Sequence, residues 1–354
     1  LSCSSAASDV YKRQAEEAVE SEVIKMVKIE VLDMGAENAK LLIKDSDRAF
    51  ANALRRTMMS ETPKMAIETV RFQMGSFDLC LSCGHLNPAA AARESSGGSG
   101  CNQCGKKLEK EGVDYTVWET NGALPDEMVA QRLAMIPIPT DHKMFHYEET
   151  CPTCKDLVPE DRGCPTCNMI YTCKAFGTEE GMTVTAGDMI YLGDQSLEIP
   201  EHYRSIPITK LYKGQMLEFY ATAVMGRGSQ HAKWSPVCGV TFVPRQVGIL
   251  NNKTKAKILW DLNLTINAKD FDKDGRLEDI EKVETLAKEL HHVGDGTEIQ
   301  TEFKDAITIE DVPGEFIFSF ETDGSMSPQT ALEMASSSLS ETFSSLGDDL
   351  KAVL

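Results

Sequence analysis

The sequence holds no apolar run approaching the ~20 residues that span a bilayer. A membrane-spanning helical protein is therefore excluded, and a soluble chain with no membrane partner is expected. Basic residues are in short supply: 36 Lys and Arg stand against 55 Asp and Glu, for a formal charge of -19. Nucleic-acid binding draws its affinity from Lys and Arg on phosphates. Direct wrapping of DNA is disfavoured, so any work near DNA is expected to run through partners. No secretory signal is expected, since Leu1 to Gln14 (LSCSSAASDVYKRQ) shows no start methionine and no apolar h-region. Residues 1–26 are expected to be a non-native or disordered leader, with Met26 the true start. No cysteine lies between residues 246 and 311.

What is present is globular in character. The 354 residues, 42% hydrophobic and 26% charged, suffice for two or three compact units. Eight of the eleven cysteines fall in CxxC pairs, which in a chain without a signal peptide points to metal before disulfides. Cytoplasmic localisation is expected.

The first quartet is Cys80-x-x-Cys83-Gly with Cys101-x-x-Cys104-Gly. Two intervening residues let both thiolates of a pair face one ion, and the following glycine permits the tight turn. The second is Cys151-Pro-Thr-Cys154 with Cys164-Pro-Thr-Cys167. Each reads as a structural four-cysteine zinc site, because four protein thiolates leave no position for a reacting water. The alternatives are a reduced metal-free loop, His85 in place of one cysteine in the first set, and an iron–sulfur cluster or a redox dithiol in the second. Cys173 and Cys238 read as buried small apolar groups.

Asp270-Phe-Asp272-Lys-Asp274-Gly275-Arg276-Leu277-Glu-Asp-Ile-Glu281 fits the EF-hand calcium loop, with ligands from Asp270, Asp272, Asp274, Arg276 (through its carbonyl) and Glu281. A helix from Leu277 to His291 follows it. The segment before, Leu262 to Ile266, reads as a strand rather than an entering helix, which leaves an acidic turn capping a helix as the alternative.

Along the chain, Val27 to Asp33 alternates as a half-buried strand, with Ala39 to Ile43 as its hairpin partner. Asp45-Ser46-Asp47 offers N-cap chemistry for a helix that places Phe50, Leu54 and Met58 on one face and stops near Thr62-Pro63. Met65 to Phe72 reads as a strand. A cysteine-bearing insertion follows, with a flexible tip at Ser95 to Gly100, and then a strand at Val113 to Trp118. Leu124-Pro-Asp-Glu opens a second helix with Met128, Leu133 and Ala134 among its apolar positions. Short strands and turns are expected after the second quartet, up to Arg245. Residues 246–311 form a separate α+β insert, and Phe316 to Glu321 a strand. Ser327-Pro328 then opens a closing helix of up to ~27 residues, ~40 Å long. Its stripe of Leu332, Ala335, Leu339, Phe343, Leu346 and Leu350 packs either on its own domain or on a partner.

Four stretches carry a resemblance, in family order from Val27 to the end. They are Phe50 to Ile67 (FANALRRTMMSETPKMAI), Leu124 to Ile138 (LPDEMVAQRLAMIPI), Gly226 to Val237 (GRGSQHAKWSPV) and Phe318 to Leu332 (FSFETDGSMSPQTAL). Together they resemble the D-type subunit of archaeal DNA-directed RNA polymerase, a relative of the bacterial alpha subunit and of the third-largest subunit of eukaryotic polymerase II. The resemblance implies an α+β fold with a discontinuous alpha-like dimerisation domain, 27–72 with 238–250 and 312–354. It implies an inserted mixed β domain, 73–237, bearing zinc loops at 78–112 and 150–168, and a small insert at 251–311. The second zinc loop falls where eukaryotic relatives carry one. The 251–311 insert sits where some archaeal relatives hold an iron–sulfur cluster, and without cysteine it can hold none. The first quartet does not map onto the family, and no bacterial-type C-terminal DNA-binding domain is expected.

The function implied is that of a non-catalytic assembly platform in DNA-directed RNA polymerase. The chain would pair with an alpha-like partner of the subunit L type and then contact the large catalytic subunits, with no catalytic residues of its own. The expected interface residues are Phe50, Leu54, Met58, Leu332, Leu339, Phe343 and Leu346, with Lys233 and Trp234 as a further anchor or, alternatively, a turn before a strand. Arg55, Arg56 and Arg132 are candidate contacts to the large subunits or solvated helix faces. A free-standing zinc-ribbon adaptor is the competing reading.

Overall fold

The computed structural model describes residues 27–353 apart from 74–75, 81, 84, 89–99, 107–112, 120–123, 194–196, 262–263 and 295–304. The expected leader 1–26 and most of the expected flexible tip lie outside the described residues.

Along the chain the elements run β1 (Lys28–Met34), β2 (Asn38–Lys44), α1 (Arg48–Ser60), β3 (Pro63–Phe72), β4 (Ser76–Cys80), β5 (Leu86–Pro88), β6 (Val113–Glu119) and α2 (Asp126–Ala134). They continue as β7 (Asn168–Phe176), β8 (Met182–Thr185), β9 (Ile190–Tyr191), β10 (Pro207–Leu211), β11 (Gln215–Arg227) and β12 (Val237–Leu250). Last come α3 (Lys253–Asp261), β13 (Arg276–Leu277), α4 (Ile280–Gly294), β14 (Ile307–Thr322) and α5 (Pro328–Val353). The class is α+β. Two compact units divide the chain: one takes it up to Arg55 together with Gly239–Phe320, the other takes Arg56–Cys238 with Glu321–Leu354.

In the first unit five strands form one sheet in the order β1-β2-β14-β12-β13. β1 and β2 make the expected antiparallel hairpin, from Lys28↔Lys44 to Met34↔Ala39, with a register shift between Val31 and Asp33. β1 is exposed along its whole length rather than half-buried. It is the sheet's edge strand, so the apolar members of its alternation, among them Ile29 and Val31, stay uncovered. Helix α1 starts where the capping residues predict, with the Asp47 carboxylate accepting from the Phe50 N–H at 2.7 Å. Asp47→Ala is expected to cost about 1 kcal/mol, and Asp47→Asn much less; thermal unfolding of the two variants checks this.

The segment 251–311 has its own core, with Ala256 and Leu259 of α3 packed with Phe271, Leu277, Val283 and Leu286. Helix α3 was not legible in the sequence. The strand expected at 262–266 is absent at Leu264–Ile266, the part that is described, and the helix expected from Leu277 begins at Ile280.

In the second unit β11 is central. It pairs antiparallel with β3 from Phe72↔Phe219 to Pro63↔Arg227, and with β7 from Phe176↔Met216 to Asn168↔Val224. Strict alternation sends Met169, Tyr171 and Cys173 of β7 and Leu217, Phe219 and Ala221 of β11 into one core, against Val129 and Leu133 of α2. Met128, expected among the apolar positions of α2, is exposed, and Val129 takes the buried place.

The strands here are longer than the short ones expected: 9 residues for β7, 13 for β11 and 14 for β12. Gly226 and Pro244 disguise β11 and β12 as broken runs. Pro244 is tolerated because β13 reaches only Gly248 and Ile249, so much of that flank of β12 has no strand beside it among the described residues. Cys173 is buried as expected, and burial pushes its thiol up to about 12. Cys238, expected to be buried, is exposed: Val237 before it takes the inward position.

Candidate metal centres and partner face

The first cysteine quartet hangs on a hairpin. β4 and β5 pair from Phe77↔Pro88 to Leu79↔Leu86, and the sulfurs of Cys80 and Cys83 lie within 4.8 Å of each other. Cys80 N donates to the His85 carbonyl at 2.9 Å, and Gly105 N to the Cys101 carbonyl at 2.9 Å. Gly105 has φ of +70°, the left-handed turn for which glycine suits that place. The sulfurs converge, Cys80 to Cys104 at 3.7 Å and Cys83 to Cys101 at 3.5 Å. All four lie within 4.8 Å of one another, and His85 is not among the grouped donors. Asn87 buttresses the set. Its amide donates to the Cys101 sulfur at 3.5 Å, and its carbonyl oxygen accepts from Asn102 N at 2.8 Å.

The second quartet is more deeply set, with Cys151, Cys154 and Cys167 buried and Cys164 partly so. Each CPTC turn closes on itself: Lys155 N donates to the Cys151 carbonyl and Asn168 N to the Cys164 carbonyl, both at 3.0 Å. Cys164 lies 3.6 Å from Cys151 and 3.5 Å from Cys167, and again all four donors fall within 4.8 Å. The Thr166 hydroxyl reaches Cys164 at 2.9 Å and Cys151 at 3.4 Å. Cys167 leads straight into β7, so this loop is anchored in the unit's core.

The thiols of each set differ in how readily they ionise. Burial raises Cys101, but the N–H groups of Cys104 and Gln103 and the Asn87 amide outweigh it and draw the thiol down to about 6. Its neighbour Cys83 is drawn down by the His85 N–H, yet burial and the three adjacent sulfurs carry it up to about 12. In the second set the Thr166 hydroxyl, with Cys167, draws Cys151 down to about 5 against burial. Burial, then the other three sulfurs, push Cys167 up. Within each set one sulfur is drawn toward the thiolate while another is pushed away from it, as expected where like charges would crowd together. Sequence reasoning missed Asn87 and Thr166. Asn87 stands 14 positions from the sulfur it serves, and nothing in CPTC distinguishes Thr166 from Thr153.

Among the described residues these quartets are the only groups of three or more His, Cys, Asp or Glu side chains placed to share an ion. The calcium-loop residues are not brought together. Asp270 is held by Lys282 at 2.7 Å and caps a short turn by accepting from Asn267 N at 2.9 Å. Asp272 N donates to the Arg276 carbonyl, the group the calcium pattern assigns to the ion, at 2.8 Å. Asp274 and Glu281 join no donor group. The loop turns into β13 and α4, with Leu277 buried in the insert's core.

Lys233 and Trp234 occupy an internal position rather than an interface. Both are buried in a short helical turn, Ala232–Trp234, just before β12. Trp234 Nε1 donates to the Val224 carbonyl at 3.1 Å. Its ring covers Gly226 so closely that a Cβ there would come within 2.4 Å. Lys233 Nζ lies over the Trp234 ring, donates to the Ile67 carbonyl at 3.1 Å and pairs with Glu68. Gly228 and Ser229 fold against the end of α1, where Ser229 N donates to the Ser60 carbonyl at 2.9 Å. The GRGSQHAKWSPV stretch is thus a clasp within the chain. Arg132 is exposed yet tied to its own unit, donating to the Ile208 carbonyl at 2.9 Å, while Arg55 bonds Asn52 and Arg56 is exposed.

The expected partner residues divide. Leu54 and Met58 are 1% and 0% exposed, covered by the chain's own residues, and Phe50 is half-buried. Along α5, Ala331 and Ala335 are buried and Leu332 and Leu339 half-buried. Phe343, Leu346 and Leu350 are 61%, 52% and 53% exposed. One apolar stripe therefore begins covered and ends open.

Comparison with known proteins shows the family. The RNA polymerase Rpb3/Rpb11 dimerisation domain matches residues 40–343. The chain belongs to this family. Relatives of the Rpb3/Rpb11 family include a DNA-directed RNA polymerase subunit Rpo3 of Picrophilus torridus, 28% identical over 91% of this chain and 99% of the relative. The Rpo3 subunit of Thermococcus kodakarensis is 26% identical over 88% of this chain and 92% of its own length. DNA-directed RNA polymerase II subunit rpb3 of Dictyostelium discoideum is 26% identical over 65% of this chain and 62% of its own. No helix among the described residues is long and apolar enough to cross a membrane.

Proposed function

We propose that this chain is a non-catalytic assembly-platform subunit of a DNA-directed RNA polymerase. It pairs with an alpha-like small subunit of the subunit L type to form a base on which the large catalytic subunits assemble. It works in the cytoplasm, reaching DNA only through the complex. The observation that carries the reading is the open half of α5. Three large apolar side chains at i, i+3 and i+7 stand more than half exposed on a regular helix, and such a stripe calls for a second helix. The uncovered apolar side chains of β1 are a second such row. The dimerisation part comprises 27–72, 238–250 and 312–354, the part facing the large subunits 73–237, and the insert 251–311 carries no iron–sulfur cluster.

Both quartets hold zinc in this reading. A tetrahedral four-thiolate zinc site with Zn–S of ~2.3 Å has sulfur–sulfur edges of ~3.8 Å. The sulfur pairs at 3.5–3.7 Å fit that size. Thiolates of a four-iron cluster each bind a different iron and stand roughly 6 Å apart. Cys80, Cys83, Cys101 and Cys104 would hold one ion, and Cys151, Cys154, Cys164 and Cys167 the other. The zinc stabilises the two loops and does no chemistry.

Co-expression with the alpha-like subunit of the same genome tests the proposal. A one-to-one heterodimer with two zinc ions from this chain is expected. A well-behaved monomer that ignores the partner would favour a free-standing zinc-ribbon adaptor instead.

A further inference from the structure

The terminal helix leaves the body of its unit through a junction, Asp323 to Met326, that is held from several sides. Asp323 N donates to the Pro236 carbonyl at 3.0 Å. The Asp323 carboxylate accepts from Ser325 N at 3.1 Å and from the Ser325 hydroxyl at 2.6 Å. Its other oxygen pairs with Lys64, whose side chain is only 5% exposed at the start of β3. Lys64 Nζ also donates to the Lys233 carbonyl at 2.9 Å. The Ser325 carbonyl accepts from Thr140 N at 2.9 Å, and the Thr140 hydroxyl accepts from Met65 N at 3.0 Å. Gly324 has φ of +86°, and a Cβ there would come within 2.1 Å of the Tyr203 ring. Helix α5 starts directly afterwards, with Ser327 Oγ accepting from Thr330 N at 3.2 Å.

We propose that the Lys64–Asp323 pair, its lysine buried and its aspartate partly so, is a positioning device that sets the direction of α5, and so controls partner affinity without touching the partner. The inference rests on the proposed pairing through α5. Leverage is what makes it matter. Phe343 lies 15 residues beyond Pro328, or ~22 Å along a helix rising 1.5 Å per residue. A tilt of ~10° at the base moves Phe343 by ~4 Å, close to half the interaxial distance of packed helices. A lysine with so little exposure is held there only by its ion pair and carbonyl contact. Removing it leaves Asp323 tied to Ser325 but detached from β3.

The test uses the full chain and its alpha-like partner, titrated against each other, with Lys64→Met, Asp323→Asn and Phe343→Glu. Lys64→Met and Asp323→Asn are expected to weaken pairing about tenfold, within the range for coupling through a shared element. Metal content and helix content of the free chain should be unchanged, and hydrogen exchange should quicken in residues 327–338. Asp323→Asn keeps the size and the Ser325 bonds, so it reports even where Lys64→Met fails to fold. Unchanged affinity in Asp323→Asn, with Phe343→Glu abolishing pairing, overturns the positioning role and leaves the partner face standing. If Phe343→Glu also pairs normally, the partner reading itself fails.

Discussion

Replacing Phe343 and Leu346 together by glutamate is expected to abolish pairing with the alpha-like subunit while leaving the free chain folded. Both side chains are more than half exposed, so the isolated protein gains or loses little by the change. Surface substitutions of this kind usually fall within ±0.5 kcal/mol. In a complex the same positions would be covered. Each loses roughly 1.5–3 kcal/mol of apolar burial, and each new carboxylate meets a dry interface without a partner charge. The sum is on the order of a thousandfold or more in affinity, since each 1.4 kcal/mol is a factor of ten. Size-exclusion with mass determination of the co-expressed pair reads the outcome. A variant that still co-purifies one to one would remove the open half of α5 from the interface.

The second large effect is expected at the metal centres, and it should be unequal. Cys167→Ser should cost the protein one zinc and several kcal/mol of stability. That is below the ~10–16 kcal/mol of zinc binding in peptides that fold only around metal, because the sheet persists without the ion. Cys167 is fully buried and enters β7, whose Met169 and Tyr171 lie in the main core of the unit. Cys83→Ser should also remove one zinc, with a far smaller loss of stability. Cys83 and Cys104 are exposed, and the buried Cys80 and Cys101 form a cluster of their own. Metal analysis and thermal unfolding of the two variants, each against wild type, give the comparison. Retention of two ions in either variant contradicts the ligand assignment. Equal loss of stability contradicts the difference in anchoring.

Local chemistry was the most readable part of the sequence. Asp47 before an apolar face, Ser327-Pro328 at a helix start and CxxC spacing each act over a few residues, and each stands where expected. Both cysteine quartets gather as their spacing implied, because turn geometry alone brings the members of a CxxC pair together. Legibility failed where a residue's fate depends on distant chain. Leu54 and Met58 look like interface residues on a helical wheel, but their exposure is decided by what the rest of the chain lays over them. Trp234 and Lys233 look like an exposed anchor until Gly226, eight positions earlier, is seen to lie under the indole ring. The calcium pattern gave no sign that Lys282 of the following helix would pair with Asp270. The contacts that give Asn87 and the Lys64–Asp323 pair their roles carry no local signal, since Cys101 lies 14 positions from Asn87 and Asp323 lies 259 from Lys64.

The most direct measurement is hydrogen–deuterium exchange along α5 in the free chain and in the complex with the alpha-like subunit. Slowed exchange on pairing is expected to concentrate between Leu339 and Leu350, where the apolar stripe is open. Protection confined to other elements, with residues 339–350 exchanging as fast as in the free chain, would contradict the assignment of this helix as the partner-binding face.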